Sequence, residues 1–172
     1  MFPCFEAATV RRGMKLLCRE PDKLVFRLSK REYEALLVAV RLRSHLPRQA
    51  RSITSDTPKE ARLREAQEDL TNALKEHRQE LSRWAEDLLA DPTRCAAQKG
   101  SGYQLTLSAS DSELVLQTLN EVRIAAWEKL GCPNLATGDR PEISDENFLC
   151  FWAFQVTDMF QGTLLAALAG ED

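Results

Sequence analysis

The sequence predicts a mainly α (α+β) fold: a bundle of about four helices, one of them long, beside a small sheet built from an N-terminal β-hairpin and one later strand. Three observations lead there. Apolar residues recur at helical spacing over long stretches. Ser or Thr cap signals stand just ahead of those stretches. Only three short runs cluster or alternate like strands. A chain of 172 residues, 44% hydrophobic and 28% charged, fits one domain able to bury a core without disulfides or metals.

Met14–Arg19 and Leu24–Leu28 flank Glu20-Pro21-Asp22-Lys23, and two apolar runs around a Pro-Asp turn read as a hairpin. Ser29-Lys30-Arg31-Glu32 then forms a capping box, in which serine and glutamate side chains satisfy each other's backbone N–H groups. The helix it opens is apolar on nearly every side (Ala35, Leu36, Leu37, Val38, Ala39, Val40, Leu42), which predicts a central place among several neighbours. It ends before Pro47, and Pro47–Asp56 has no periodicity and reads as a loop.

Thr57-Pro58-Lys59-Glu60 is a second capping box, with proline at the first helical position, where its missing N–H costs nothing. The helix runs to about Leu89 and closes at Asp91-Pro92. Leu63, Leu70, Leu74, His77, Leu81, Trp84 and Leu88 keep a 4-3 spacing, the narrow stripe of a coiled-coil seam or an antiparallel helix pair. At 1.5 Å per residue the rod is roughly 45–50 Å long. Its stripe needs cover from the domain's other helices or from a second chain, so a homodimer is one expectation.

Lys99–Gly102 is a turn, and Tyr103–Leu107 alternates like a half-buried strand that adds to the hairpin. Ser108–Glu113 supplies nested caps for a helix to Leu130, with Gly131 as its C′ residue and Pro133 as a stop. Cys132–Ile143 is a loop, after which Ser144 is expected to cap a last helix carrying Asp145 and Glu146 in its first turn. Leu24–Ser29 and Tyr103–Ser108 share one order (strand, serine, acidic turn, helix), which we read as the common physics of such junctions rather than a duplication. Residues 1–13 are expected to be a mobile N-terminal extension and residues 14–172 the single helical domain.

The net charge of −3 hides an asymmetry: residues 1–58 carry 12 Lys/Arg against 6 Asp/Glu, and residues 59–172 carry 11 against 20. Such halves either fold against each other or offer the basic part to an acidic partner. Five scattered cysteines, an odd number without a C-x-x-C, suit reduced thiols, and Met1–Arg12 holds no signal-like apolar run; both point to the cytoplasm. The most apolar stretch, Phe148–Ala169, is interrupted by Gln155, Asp158 and Gln161, so no membrane span is expected.

Motifs of known catalysts are missing: there is no Gly-rich phosphate loop, G-x-S-x-G or H-E-x-x-H, and His45 and His77 stand far apart. No cofactor or metal is expected, and an enzyme, with Glu121, Arg123, His77 and Asp158 as its nearest candidates, ranks last. His77 sits in the stripe, either as a neutral-pH switch or, more simply, as a ring packed there with a hydrogen bond to a neighbour. Arg41, Arg43, Arg48 and Arg51 lie in a run without an acid and are candidates for contact with nucleic acid or another acidic partner; cations at a helix C-terminus also complement its dipole. Asn120 and Arg123 share a helix face and could form a polar clamp with Asp158 or Gln161. Cys4, Cys95 and Cys132, at a terminus and in expected loops, are candidate redox thiols, whereas Cys18 and Cys150 read as small core residues.

Leu119-Asn-Glu-Val-Arg-Ile124, followed by Glu128-Lys-Leu-Gly131, resembles the pattern L-N-[DE]-x-R-[LI] and then R/K-L-G. Trp152 through Gln161 to Leu168 resembles its companion aromatic-rich helix, and Phe26-Arg-Leu-Ser29 with Glu34-Ala-Leu-Leu37 resembles the upstream strand and E-x-x-L-L. Together they resemble a bacterial domain-of-unknown-function family often encoded beside the ClpS adaptor, which includes AosR-type oxidative-stress regulators. The resemblance spans most of residues 14–168 and implies a regulator. It departs from the regulator branch in lacking a close cysteine pair. The expected function is therefore a non-enzymatic regulatory or adaptor protein acting through protein–protein contacts, the alternative being a redox-responsive DNA-binding transcription regulator.

Overall fold

Residues 14–43, 46, 60–100, 102–134, 138 and 141–170 are described by the computed structural model. Strands β1 (Lys15–Arg19) and β2 (Lys23–Leu28) form the N-terminal hairpin, with a register shift between Leu16 and Cys18. A second hairpin joins β3 (Cys95–Gln98) to β4 (Gly102–Ser108), and β2 pairs antiparallel with β4, giving the sheet order β1-β2-β4-β3. β3 has no counterpart in the sequence reading. Cys-Ala-Ala-Gln contains no β-branched or aromatic residue, and β4 alone supplies its strand partner. Gly102 lets the start of β4 come close to the end of β2: a side chain there would run into the Leu28 carbonyl.

Leu24, Phe26 and Leu28 of β2 and Leu105 and Leu107 of β4 point to one face of the sheet and are buried, whereas Val25, Arg27, Gln104 and Thr106 occupy the partly or fully exposed positions between them. Helices cover the apolar face. α1 (Lys30–Leu42) starts at the expected box, Glu32 accepting the Ser29 N–H at 2.6 Å and Ser29 Oγ accepting the Glu32 N–H at 3.2 Å. It buries Ala35, Leu36, Ala39 and Val40 but leaves Val38 exposed, so its buried arc is narrower than its composition suggested. It is nonetheless central, touching β2, β4 and all three other helices.

α2 (Glu60–Ala90) is the long helix; the Thr57 capping box and the 47–56 loop lie outside the described residues, as does the 1–13 extension. α3 (Ala109–Lys129) opens on a second box, Ser108 with Asp111, and Gly131 follows it at φ 83°. The last helix, α4 (Phe148–Ala169), begins three residues later than Ser144 as its cap would place it. The reason is local. Asn147 accepts the Ser144 N–H at 2.8 Å and donates to the Glu142 carbonyl at 2.8 Å, so residues 144–147 close into their own turn, and Asp145 and Glu146 fall outside the helix.

The element order is ββαα twice over. Exchanging the two units leaves the sheet order unchanged, and it carries the packing with it: α1 touches α4 as α3 touches α2, and α2 touches β3 as α4 touches β1. The echo between Leu24–Ser29 and Tyr103–Ser108 thus extends to the whole domain, beyond the local junction physics to which we ascribed it.

Candidate functional site

α2 is two different helices end to end. From Leu81 onward its stripe is in the core: Leu81, Ala85, Leu88 and Leu89 are buried, and Trp84 is half-buried. The Tyr33 hydroxyl donates to the Leu89 carbonyl at 3.3 Å, and the Tyr33 ring stacks on Tyr103 with centroids 3.8 Å apart, tying this end to α1 and β4. Burial raises the Tyr33 pKa above the ordinary tyrosine value. N-terminal to that point the same stripe comes out into solvent. Leu74 is 43% and Leu70 59% exposed, His77 is exposed, and the Leu63 side chain lies outside the described residues. Cover from the domain's other elements, one of the two expectations for this stripe, therefore reaches only the last third of the helix.

The boundary is marked by charge. The Arg43 side chain, only 3% exposed, donates through Nε (3.0 Å) and Nη2 to Glu121 Oε2 of α3, and through Nη1 to the Arg78 carbonyl (2.6 Å) and Ser82 Oγ (3.4 Å) of α2. Arg78 Nε adds a second cation 3.5 Å from the same Glu121 oxygen. One carboxylate between two guanidinium groups joins α1, α2 and α3 where α2 leaves the core. Burying the Arg43 charge is tolerable because each of its side-chain nitrogens has an acceptor. Sequence reasoning did not bring these residues together, though helical phase carried a signal: Arg43 lies four residues after buried Ala39 and three after buried Val40, on the core-facing side of α1.

Arg43 is thus not at the surface, which removes it from the basic contact set. Arg41 is exposed and pairs with Glu86 of α2 at 3.3 Å. Arg48 and Arg51 lie outside the described residues, as do His45 and Cys4. The polar clamp forms in part: Arg123 meets Asp158 at 3.1 Å and lies over the Phe154 ring, 5.5 Å from its centroid. Gln161 instead donates to the Leu116 carbonyl at 3.3 Å, and Asn120 faces solvent. His77 and Gln117 are 3.3 Å apart at the surface, so its ring meets a neighbour without being buried.

Cys95, expected in a loop, is a buried β3 residue, and burial pushes its thiol up to about 11, which keeps it protonated and unreactive near neutral pH. Cys132 is exposed at φ 57° just past α3. The core reading of Cys18 does not hold, since it is exposed on the β1 edge, and Cys150 is half-buried with its pKa raised by burial. Among the described residues no group of three or more His, Cys, Asp or Glu is placed to hold a metal, and no helix is long and apolar enough to cross a membrane. The cavity lined by Leu36, Leu88, Leu105, Val115 and Leu119 holds about 10 Å³ and is almost wholly apolar, a packing gap inside the core.

Comparison with protein-family models, curated proteins and solved structures finds no match.

Proposed function

We propose that the chain is a non-enzymatic regulatory or adaptor protein of the bacterial cytoplasm, and that it captures its protein partner along the projecting part of α2. One observation carries the reading: the 4-3 stripe that is core at Leu81 and Leu88 continues in phase to exposed Leu74 and Leu70. A solvated helix of this length gains little from leucines held in water, whereas a partner helix laid along them would extend an apolar seam already begun inside the domain. Across residues 64–80 acids outnumber bases, with Glu65, Glu68, Asp69, Glu76 and Glu80 against Arg64, Lys75 and Arg78, which favours a partner helix with a basic flank. The motif resemblance to the family of AosR-type regulators supports the same class of role.

The test is affinity purification of the tagged chain at native expression, beside a Leu70→Glu, Leu74→Glu double variant. Both positions are exposed, so the variant keeps its fold. A partner retained by the wild-type chain and lost by the variant supports the proposal. No reproducible partner, or one indifferent to both substitutions, ends it.

A further inference from the structure

One end of the sheet's uncovered face carries charge that the fold does not use. Lys15 of β1 stands directly opposite Arg27 of β2, and Arg27 directly opposite Gln104 of β4. Both cations are exposed, on the face that the helices leave open. Like charges in such a cross-strand pair repel each other. At the same end of the strands Arg31 lies in the first turn of α1, where a cation opposes the helix dipole, and Lys99 is exposed in the β3–β4 turn. None of the four has an acidic partner among the described residues.

The relation between the two ββαα units supplies an internal control. The exchange that carries Ser29 to Ser108 carries Arg27 to Thr106, Arg31 to Ser110, and Lys99 back to Glu20. Beside Thr106, in the place that Lys15 takes beside Arg27, stands Arg94. Its charge is met by Asp91 at 3.8 Å and by Asp111 at 3.1 Å. The equivalent end of the sheet thus folds without an unpaired cation at any of these positions. The four charges at the first end are not required by the fold, and they work against it. Side chains that break local rules with no structural gain mark a functional surface.

We propose that this end of the open face holds an acidic, extended segment of a partner protein. Three strand spacings of about 4.8 Å give the patch a width of roughly 14 Å, the reach of about four extended residues. The Arg27 guanidinium can grip a carboxylate with two N–H groups. Gln98 donates to Gln104 Oε1 at 3.4 Å, which leaves the Gln104 NH2 as a further donor beside Arg27.

Nucleic acid fits this patch less well. A duplex, with one charge every ~1.7 Å, overruns so small an area. With the four cations set aside the rest of the chain balances at −7, against −3 for the whole, so the overrun meets repulsion. For a single strand the face offers no aromatic ring on which bases could stack, since Tyr103 stacks on Tyr33 on the covered side. The patch is separate from the projecting part of α2 and opposite to it in sign, so the inference does not rest on the α2 reading.

A backbone-amide NMR titration of the full chain with a peptide of about eight glutamates, at roughly 25 and 300 mM salt, tests the contact. The expected shifts are confined to β1, β2 and β4 around Lys15, Arg27 and Gln104. The dissociation constant should lie below about 1 mM at low salt and rise at least tenfold at high salt. Lys15→Gln with Arg27→Gln should weaken binding at least tenfold, while the thermal unfolding midpoint stays level or rises as the repulsion is removed. Should that variant fold poorly, Arg31→Gln with Lys99→Gln carries the same test through at least a threefold loss. Lys75→Gln with Arg83→Gln, an equal change of charge on α2, and the Leu70→Glu, Leu74→Glu variant should both bind within twofold of the wild-type chain. Shifts scattered over the surface, no binding at about 2 mM peptide, or binding indifferent to both patch variants would overturn the proposal. So would tighter binding of a duplex of about 20 base pairs through the same residues.

Discussion

α2 and α4 hold the same place in the two ββαα units, yet they solve the problem of a long helix in opposite ways. α4 lies along α3, and its 22 residues include one charge. α2 has 31 residues, commits only its last third to the core, and sends the remainder out among charged side chains. The difference teaches that length and apolar stripe do not decide where a helix is buried. What decides it is how far the neighbouring elements extend alongside. α2 loses its cover at the Arg43–Glu121–Arg78 cluster, where α1 ends, and beyond it the same leucine pattern has water for a neighbour.

Substitutions along α2 sharpen this contrast. Leu88→Ala, at a fully packed position, should lower unfolding stability by about 2–5 kcal/mol through lost burial and an unfilled cavity. Leu74→Ala, on the same stripe two turns outside the core, should change it by less than about 0.5 kcal/mol. Chemical denaturation of both variants checks the pair. Equal losses would mean that the outer seam is covered in solution.

At the boundary itself, Arg43→Met keeps the length of the side chain but leaves Glu121 with Arg78 as its remaining cation. A cost of about 2–4 kcal/mol is expected, at the lower end of what breaking a buried pair costs because Arg78 still screens the carboxylate. Faster amide exchange from Arg78 to Leu81, with Leu88 unaffected, would place the cluster as the point where α2 is held. Uniform loosening of the whole domain would argue that it has no such local role.

The smallest effect is expected at the cap of α3, the helix against which the docked end of α2 packs. Ser108 Oγ accepts the Asp111 N–H at 3.1 Å, and the Asp111 carboxylate answers with the Ser108 N–H and with Arg94 Nη1, both at 3.1 Å. Ser108→Ala removes one of these links and should cost about 1 kcal/mol, measured by thermal or denaturant unfolding, without altering the exposed half of α2.

Much of this architecture is written in local chemistry. Both capping boxes, the Pro-Asp hairpin, the Gly131 terminator and the strand at Tyr103–Leu107 follow from a few adjacent residues, because each depends on hydrogen bonds and dihedral preferences that act within one turn. The sequence determined the fold class, the four helices and three of the four strands for that reason. Tertiary structure decided the rest. β3 is a strand only because β4 lies beside it, and Ser144 yields its cap to the turn that Asn147 closes. Arg43 leaves the expected basic surface because Glu121, 78 residues away, waits at the edge of the core. Cys95 loses its reactivity to burial. The long helix shows the division most plainly: its 4-3 pattern declares one apolar face, but a pattern states only that the face prefers cover. Which leucines receive it depends on where other elements end, a long-range fact that no window of sequence contains.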